Sequence, residues 1–485
     1  MSLAAPLRAR NARHDATMRA AAAAIRGASA KREPWKDHGQ PFRSRSGSAS
    51  VAVLGHPQPA FFPPFTPRAD QPLPRADLHG HGRRFEYSLR DELRPLARGR
   101  CAGCGRTKVT HAQQVKGQGD DVEVWLRDHD RVNDGETKQG KTRRAYYRNI
   151  LVCGSAWECP SCMASHRRAG AEKIKLAVER WQNGYAEIPA HGAGSVLFLT
   201  LTVRHGLGDD LGLVRRGVTD AFSRFLAGRA WQRLCDSLPW NAPGWSTAIE
   251  DEQYAAGHPK LIGGYVRALE VTHGASGWHP HVHALLFCGF APSEKFRNVL
   301  RACLSQRWAE CVREVLGEAH VPVDTSADGK HPGCDLRPCG AADYISKMGL
   351  ELSSPLTKEG RKSRSRSPIQ IAIDYATTHA ASDAKLWQTY CAGMKGARML
   401  TWSGGLLDRL GLKEEDEEPS EIAPQLVASI DDVTWRRVRD LRGAKLAILV
   451  AAEEAGEAGV KNALSYMRKH GKAPPSSSSA QRAGP

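Results

Sequence analysis

From Ser195 the chain alternates. In SVLFLTLTVRH (195–205), Leu197, Leu199, Leu201 and Val203 share one face and Phe198, Thr200 and Thr202 the other. That is the two-residue period of a β-strand. LVRRGVTDAFSRFLAGRAWQRLCD, starting at Leu213, changes to helical spacing and predicts an amphipathic helix. Two strand-like runs follow, 264–273 and 278–288, joined by Gly-Ala-Ser-Gly as in a hairpin. SEKFRNVLRACLSQRWAECVREVLG predicts a long helix, and strand-like sequence near 320–337 leads into a short helical AADYISKMG. Past the acidic KEEDEEPSE (413–421), residues 430–469 predict two or three helices with an Ala/Leu-rich face.

The remainder lacks a period. Residues 1–95, rich in Ala, Arg, Pro and Ser, and the closing KAPPSSSSAQRAGP are expected to be disordered. The pattern predicts an α+β fold with a central antiparallel sheet flanked by helices. The expected divisions are an arm (1–95), a cysteine-rich zinc-binding module (96–192), the sheet domain (193–412), an acidic linker with a helical segment (413–470), and a tail (471–485).

Charge adds a partner to this picture. The 485 residues carry a formal net charge of +17, as expected of a protein that meets a polyanion such as nucleic acid. Close to half of that excess lies in the arm, where it could serve solubility alone. No apolar run approaches the roughly 18 residues of a membrane span, and the Ala/Arg-rich start lacks the apolar core of a secretion signal. The expectation is a cytoplasmic protein without a membrane partner, whose twelve cysteines are thiols or metal ligands.

The most informative stretch is GWHPHVHALLF (277–287). On a strand, His279, His281 and His283 point the same way, while Val282, Ala284 and Leu286 point into the core. Closing the hairpin across Gly-Ala-Ser-Gly pairs 274 with 277, which sets Glu270 opposite His281 and diagonal to His283. Opposed Cβ atoms lie roughly 4.5–5.5 Å apart. Two imidazoles and a carboxylate on one face form a divalent-metal site with positions left for a substrate oxygen, and His279 is a spare ligand or outer donor. Solvent-facing histidines are the plain alternative, and the cross-strand carboxylate weighs against it.

His-hydrophobe-His on a central strand resembles the metal motif of the HUH endonucleases, and more closely the rolling-circle replication initiators of actinobacterial plasmids. FLTLTVRH (198–205), GWHPHVHALLF and ADYISK (342–347) resemble that family's three motifs, in order, and CGSAWECPSCMA (153–164) and MKGARMLTWSGGL (394–406) resemble flanking segments. The resemblance implies Mg²⁺ or Mn²⁺ on His281, His283 and Glu270. It also implies a Tyr344 nucleophile that nicks one strand of plasmid origin DNA, keeps the 5′-phosphate as a phosphotyrosine, leaves a 3′-OH primer, and later rejoins the displaced strand. Host helicase and polymerase are the implied partners. A phenol near pKa 10 is only about 0.1% ionised at pH 7, so reaching the phenolate costs about 4 kcal/mol. Lys347, one helical turn on, offsets part of that. Gly340 stands where some relatives carry a water-activating carboxylate, and no second tyrosine follows one turn after Tyr344. Tyr390 is the rival nucleophile.

Cys101-x-x-Cys104 and Cys159-x-x-Cys162 predict a tetrahedral structural zinc site, with Cys153 or His111 able to replace one ligand. KEGRKSRSRS (358–367) supplies Arg361, Lys362, Arg364 and Arg366 as phosphate contacts beside the tyrosine segment. Two other functions fit the same motifs: an HUH single-strand transposase, and a non-catalytic zinc-dependent DNA-binding regulator.

Overall fold

The computed structural model describes residues 82–109, 121–129, 142–184, 194–235, 261–323, 333–339, 365–412 and 424–474. In chain order, the elements used below are α1 (Arg83–Leu93), β1 (Val122–His129), β2 (Thr142–Arg148), α2 (Pro160–Gln182), β3 (Ser195–Leu201), α3 (Leu211–Phe225), α4 (Gly228–Cys235), β4 (Ile262–Gly274), β5 (Gly277–Cys288), α5 (Glu294–Leu316), β6 (Cys334–Pro338), α6 (Pro368–Thr378), α7 (Ala381–Met394), β7 (Leu400–Trp402), β8 (Gln425–Ile430), α8 (Asp432–Val438) and α9 (Ala444–His470). The described residues contain no helix long and apolar enough to cross a membrane.

Two antiparallel sheets organise these elements. The larger has the order β6-β3-β5-β4-β7. Its central hairpin closes as the turn sequence requires, with Gly274 opposite Gly277 and Glu270 opposite His281. Gly277 has φ 88°, and a Cβ there would sit 2.9 Å from the Gly206 carbonyl oxygen, so only glycine suits the turn. The helical run beginning at Leu213 forms two helices rather than one, because the chain breaks after Leu226 and restarts at Gly228 with φ 80°.

Both faces of this sheet are covered. Leu197, Leu199 and Leu201 join Val282, Ala284 and Leu286 against α3, α5, α6 and α7. Asp210 caps α3 by accepting from Leu213 N, and Ser293 caps α5 through Phe296 N, which satisfies helix-end donors that would otherwise be orphaned. On the opposite face, Val196, Phe198, Val266, Leu285 and Phe287 pack against Ile174, Val178 and Trp181 of α2. The histidines share this second face, so apolar packing surrounds them on the Leu285 side.

The second sheet, β2-β1-β8, is not legible in the pattern of the sequence. Val122, Val124, Leu126 and Ala145 cover one of its faces with Ile448, Leu449, Ala452 and Met467 of α9. The long helix bends at Ala455 and Gly456, which leave helical geometry. The expected boundaries therefore change. The cysteine-rich segment and the carboxy-terminal helices, expected to be separate, share one sheet and one core.

Residues 83–93, expected within the disordered arm, form α1, whose Phe85, Leu89 and Leu93 are buried. Arg83 pairs with Glu453 at 2.5 Å, and Asp91 meets the buried Lys445 at 3.1 Å. Burial pushes the Lys445 ammonium down to about 8 despite that partner. Tyr344, Lys347, Arg361, Lys362, Arg364, Gly340 and His111 lie outside the described residues.

Candidate metal centres

Glu270 on β4 and His281 and His283 on β5 converge on one point. His281 Nε2 and His283 Nε2 lie 3.4 and 3.2 Å from Glu270 Oε2. Each of the three offers a ligand atom within 4.8 Å of the others. Neighbouring ligands of an octahedral Mg²⁺-sized ion, with bonds near 2.1 Å, are about 3.0 Å apart. The spacing therefore suits a shared ion with little movement.

The imidazoles are already oriented. His281 Nδ1 donates to the His279 carbonyl, two residues back, at 3.2 Å, which turns Nε2 toward Glu270. His283 Nδ1 lies 3.0 Å from Thr200 Oγ1 on the adjoining strand, and its ring stacks on Phe198 at 4.9 Å. Thr200 stands directly across from His283 in the β3–β5 register. Burial alone would raise the Glu270 carboxyl, but His283 and His281 together hold it well below the ordinary carboxylate range. The group thus presents an anion and two imidazoles, a donor set for a divalent cation.

His279 is not one of the three. Its Nδ1 lies 3.1 Å from His205 Nδ1, just beyond β3. Burial first, then His281, His205 and His283, pushes it down to about 3, so it is a neutral imidazole. Neither Thr200 nor His205 stood out in the sequence as part of this site. Thr200 comes from a strand whose pairing with β5 spans more than 80 residues, and only that pairing sets it against His283 and brings the following His205 beside His279.

The second cluster joins Cys104, Cys153, Cys159 and Cys162, with ligand sulfurs all within 4.8 Å of one another. Cys104 lies 3.7 Å from both Cys159 and Cys162, and Cys153 lies 3.6 Å from Cys162. Tetrahedral zinc with bonds of 2.3 Å requires sulfur–sulfur edges of about 3.8 Å, so these residues fit the ion. Donation from Cys153, then from Cys159 and Cys162, holds the Cys104 thiol far below its ordinary value. Cys159 caps α2 and Cys162 lies in its first turn, where the helix dipole favours thiolate.

The four sulfurs within 4.8 Å of one another include Cys153 and do not include Cys101. The bridge between Lys108 and Ile150 returns the chain beside Cys104, and Cys153 takes the position expected of Cys101. Cys101 and Cys153 both pack against the other three cysteines.

Two other residues singled out in the sequence can be placed. Arg366 Nη1 is engaged by Asp374 at 2.9 Å and Asp383 at 2.8 Å, and its backbone pairs with His273. It ties β4 to α6 and α7, and its side chain remains 36% exposed. Tyr390 is fully buried, stacked on Trp278 at 6.2 Å and beside Trp387 at 5.4 Å. Its hydroxyl has no hydrogen-bond partner among the described residues, and burial raises its pKa above the ordinary phenol value. Those surroundings suit packing and disfavour nucleophilic attack.

In sequence, the chain is 26% identical to Protein rep of Streptomyces lividans over 325 residues, 58% of this chain and 68% of that protein. It is 30% identical to Neomycin resistance protein of Streptomyces cyanogenus over 148 residues, 29% of this chain and 31% of that protein. No protein-family model and no solved structure matches the chain.

Proposed function

We propose that this Rep-like chain is a plasmid rolling-circle replication initiator of the HUH type, which nicks one strand at the origin and later rejoins it. The observation that carries the reading is the convergence of Glu270, His281 and His283 on one point of a central sheet. Similarity to a Rep protein over more than half of the chain supports it and favours an initiator over a transposase.

In this reading the three side chains hold Mg²⁺ or Mn²⁺, which supplies Lewis-acid polarisation of the scissile phosphate and stabilises the departing oxygen. Tyr344 attacks phosphorus through its phenolic oxygen. The bond to the 3′-oxygen breaks, the 5′-phosphate stays on the tyrosine, the phenolic proton passes to solvent, and the departing oxygen takes up a solvent proton to become the 3′-OH. Lys347 lowers the cost of forming the phenolate. Thr200 and the His279 carbonyl keep the two imidazoles aimed at a common point. Origin DNA is the substrate, and host helicase and polymerase follow from the 3′-OH primer. The cysteine cluster holds structural Zn²⁺.

The test is peptide mapping of the adduct formed with a single-stranded origin oligonucleotide and Mn²⁺. The reading predicts one phosphotyrosine at Tyr344, absent from Tyr344→Phe. Adduct at another residue, or nicking that survives in Tyr344→Phe, contradicts it.

A further inference from the structure

The smaller sheet buries one face under α9 and leaves the other uncovered by any described element. Along the open face, residues alternate in register across three strands. Trp125 faces Tyr146 on one side and Leu426 on the other, Glu123 faces Arg148 and Ser429, and Arg127 faces Arg144. Leu426 is 47% exposed, and Arg127, Arg144 and Arg148 are all exposed.

The aromatic and basic groups are layered on each other. The Arg148 guanidinium lies 4.0 Å from the centre of the Trp125 ring, and Arg127 lies 5.7 Å from that of Tyr146. Glu123 is the one acid in these rows, and it accepts from Trp125 Nε1 at 2.7 Å. The face therefore joins two flat rings with three cations. A stable sheet does not need this arrangement, because its core lies on the other side.

We propose that this face is a binding platform for single-stranded DNA, on which Trp125 and Tyr146 stack bases and Arg127, Arg144 and Arg148 meet the phosphates. Charge selects the partner, since a row of exposed arginines beside half-buried rings complements a polyanion. The rings select the strand state, because unpaired bases offer a π-face to an aromatic side chain whereas paired bases are stacked on one another. Arginines that cover the rings in the free protein can turn to the backbone when bases replace them. The platform rests on reading the chain as a DNA-processing protein, but it is independent of the nicking residues. None of Glu270, His281 and His283 lies on this sheet.

The experiment measures full-length protein binding to a short oligothymidine and to a mixed-sequence duplex of the same length, without added divalent metal, so that no strand is cut. Trp125→Ala is expected to weaken oligothymidine binding roughly tenfold and duplex binding much less. Trp125→Phe, which keeps a ring, retains most of the affinity. Arg127→Ala with Arg148→Ala lowers the salt slope for oligothymidine by about 1.4, for two phosphates.

An oligothymidine carrying one 5-iododeoxyuridine should photocross-link to the peptides holding Trp125 and Tyr146. Unchanged affinity in Trp125→Ala overturns the inference, as does an equal loss for duplex or a Trp125→Phe as weak as the alanine variant. Dimerisation that these variants abolish would also overturn it, by assigning the face to a second copy of the chain. Failure of nicking alone leaves these binding results standing.

Discussion

Four sulfurs close around one point in the cysteine cluster, whereas the Glu270–His281–His283 group presents three donors from a single sheet face. The first is assembled from a turn, a loop and the first turn of α2. The second stands on two long strands paired along their length. A closed all-thiolate set leaves no place for substrate and contributes to folding. An incomplete nitrogen–oxygen set on a rigid support leaves positions for a phosphate oxygen. One cluster is therefore expected to govern stability and the other chemistry.

The largest effect should come from the sulfur site. Cys159→Ser with Cys162→Ser is expected to remove about one zinc per chain and to lower stability by several kcal/mol, since structural zinc binding is folding free energy. Elemental analysis and thermal unfolding check both halves. Cys101→Ser should keep the zinc, and Cys153→Ser should lose it. The reverse result would restore the CxxC pair read from spacing.

A smaller change sharpens the other side. Thr200→Val removes the hydroxyl beside His283 Nδ1 and should weaken Mn²⁺ binding about ten- to a hundredfold with little change in melting. Thr200→Ser should recover it. The smallest effect is expected at Tyr390. Removing a buried hydroxyl that lacks a partner among the described residues should shift stability by no more than about 1 kcal/mol and leave nicking intact. A severe loss of cleavage in Tyr390→Phe would return it to the chemistry.

The candidate site was unusually legible because a hairpin is local. A four-residue turn fixes the register, and register alone puts Glu270 opposite His281. The alternation of SVLFLTL likewise disclosed both faces of β3. What stayed hidden depends on distant partners. Thr200 meets His283 only through the β3–β5 pairing, and β8 joins β1 across some 300 residues, so a carboxy-terminal strand completing a sheet with the cysteine-rich segment left no periodic trace. The same holds for Cys153. Spacing favours the two CxxC pairs, but the bridge between Lys108 and Ile150 decides which sulfur arrives. Arg366 shows the converse, since a basic run suggests free solvent-facing cations while two aspartates on neighbouring helices pair with this one.

The separation of roles is tested most directly by His281→Ala with His283→Ala. Strand cleavage with Mn²⁺ and zinc content are measured on the same purified protein. The account predicts that cleavage disappears while zinc stays near one per chain and melting changes little. Cleavage that persists in the double variant would contradict it.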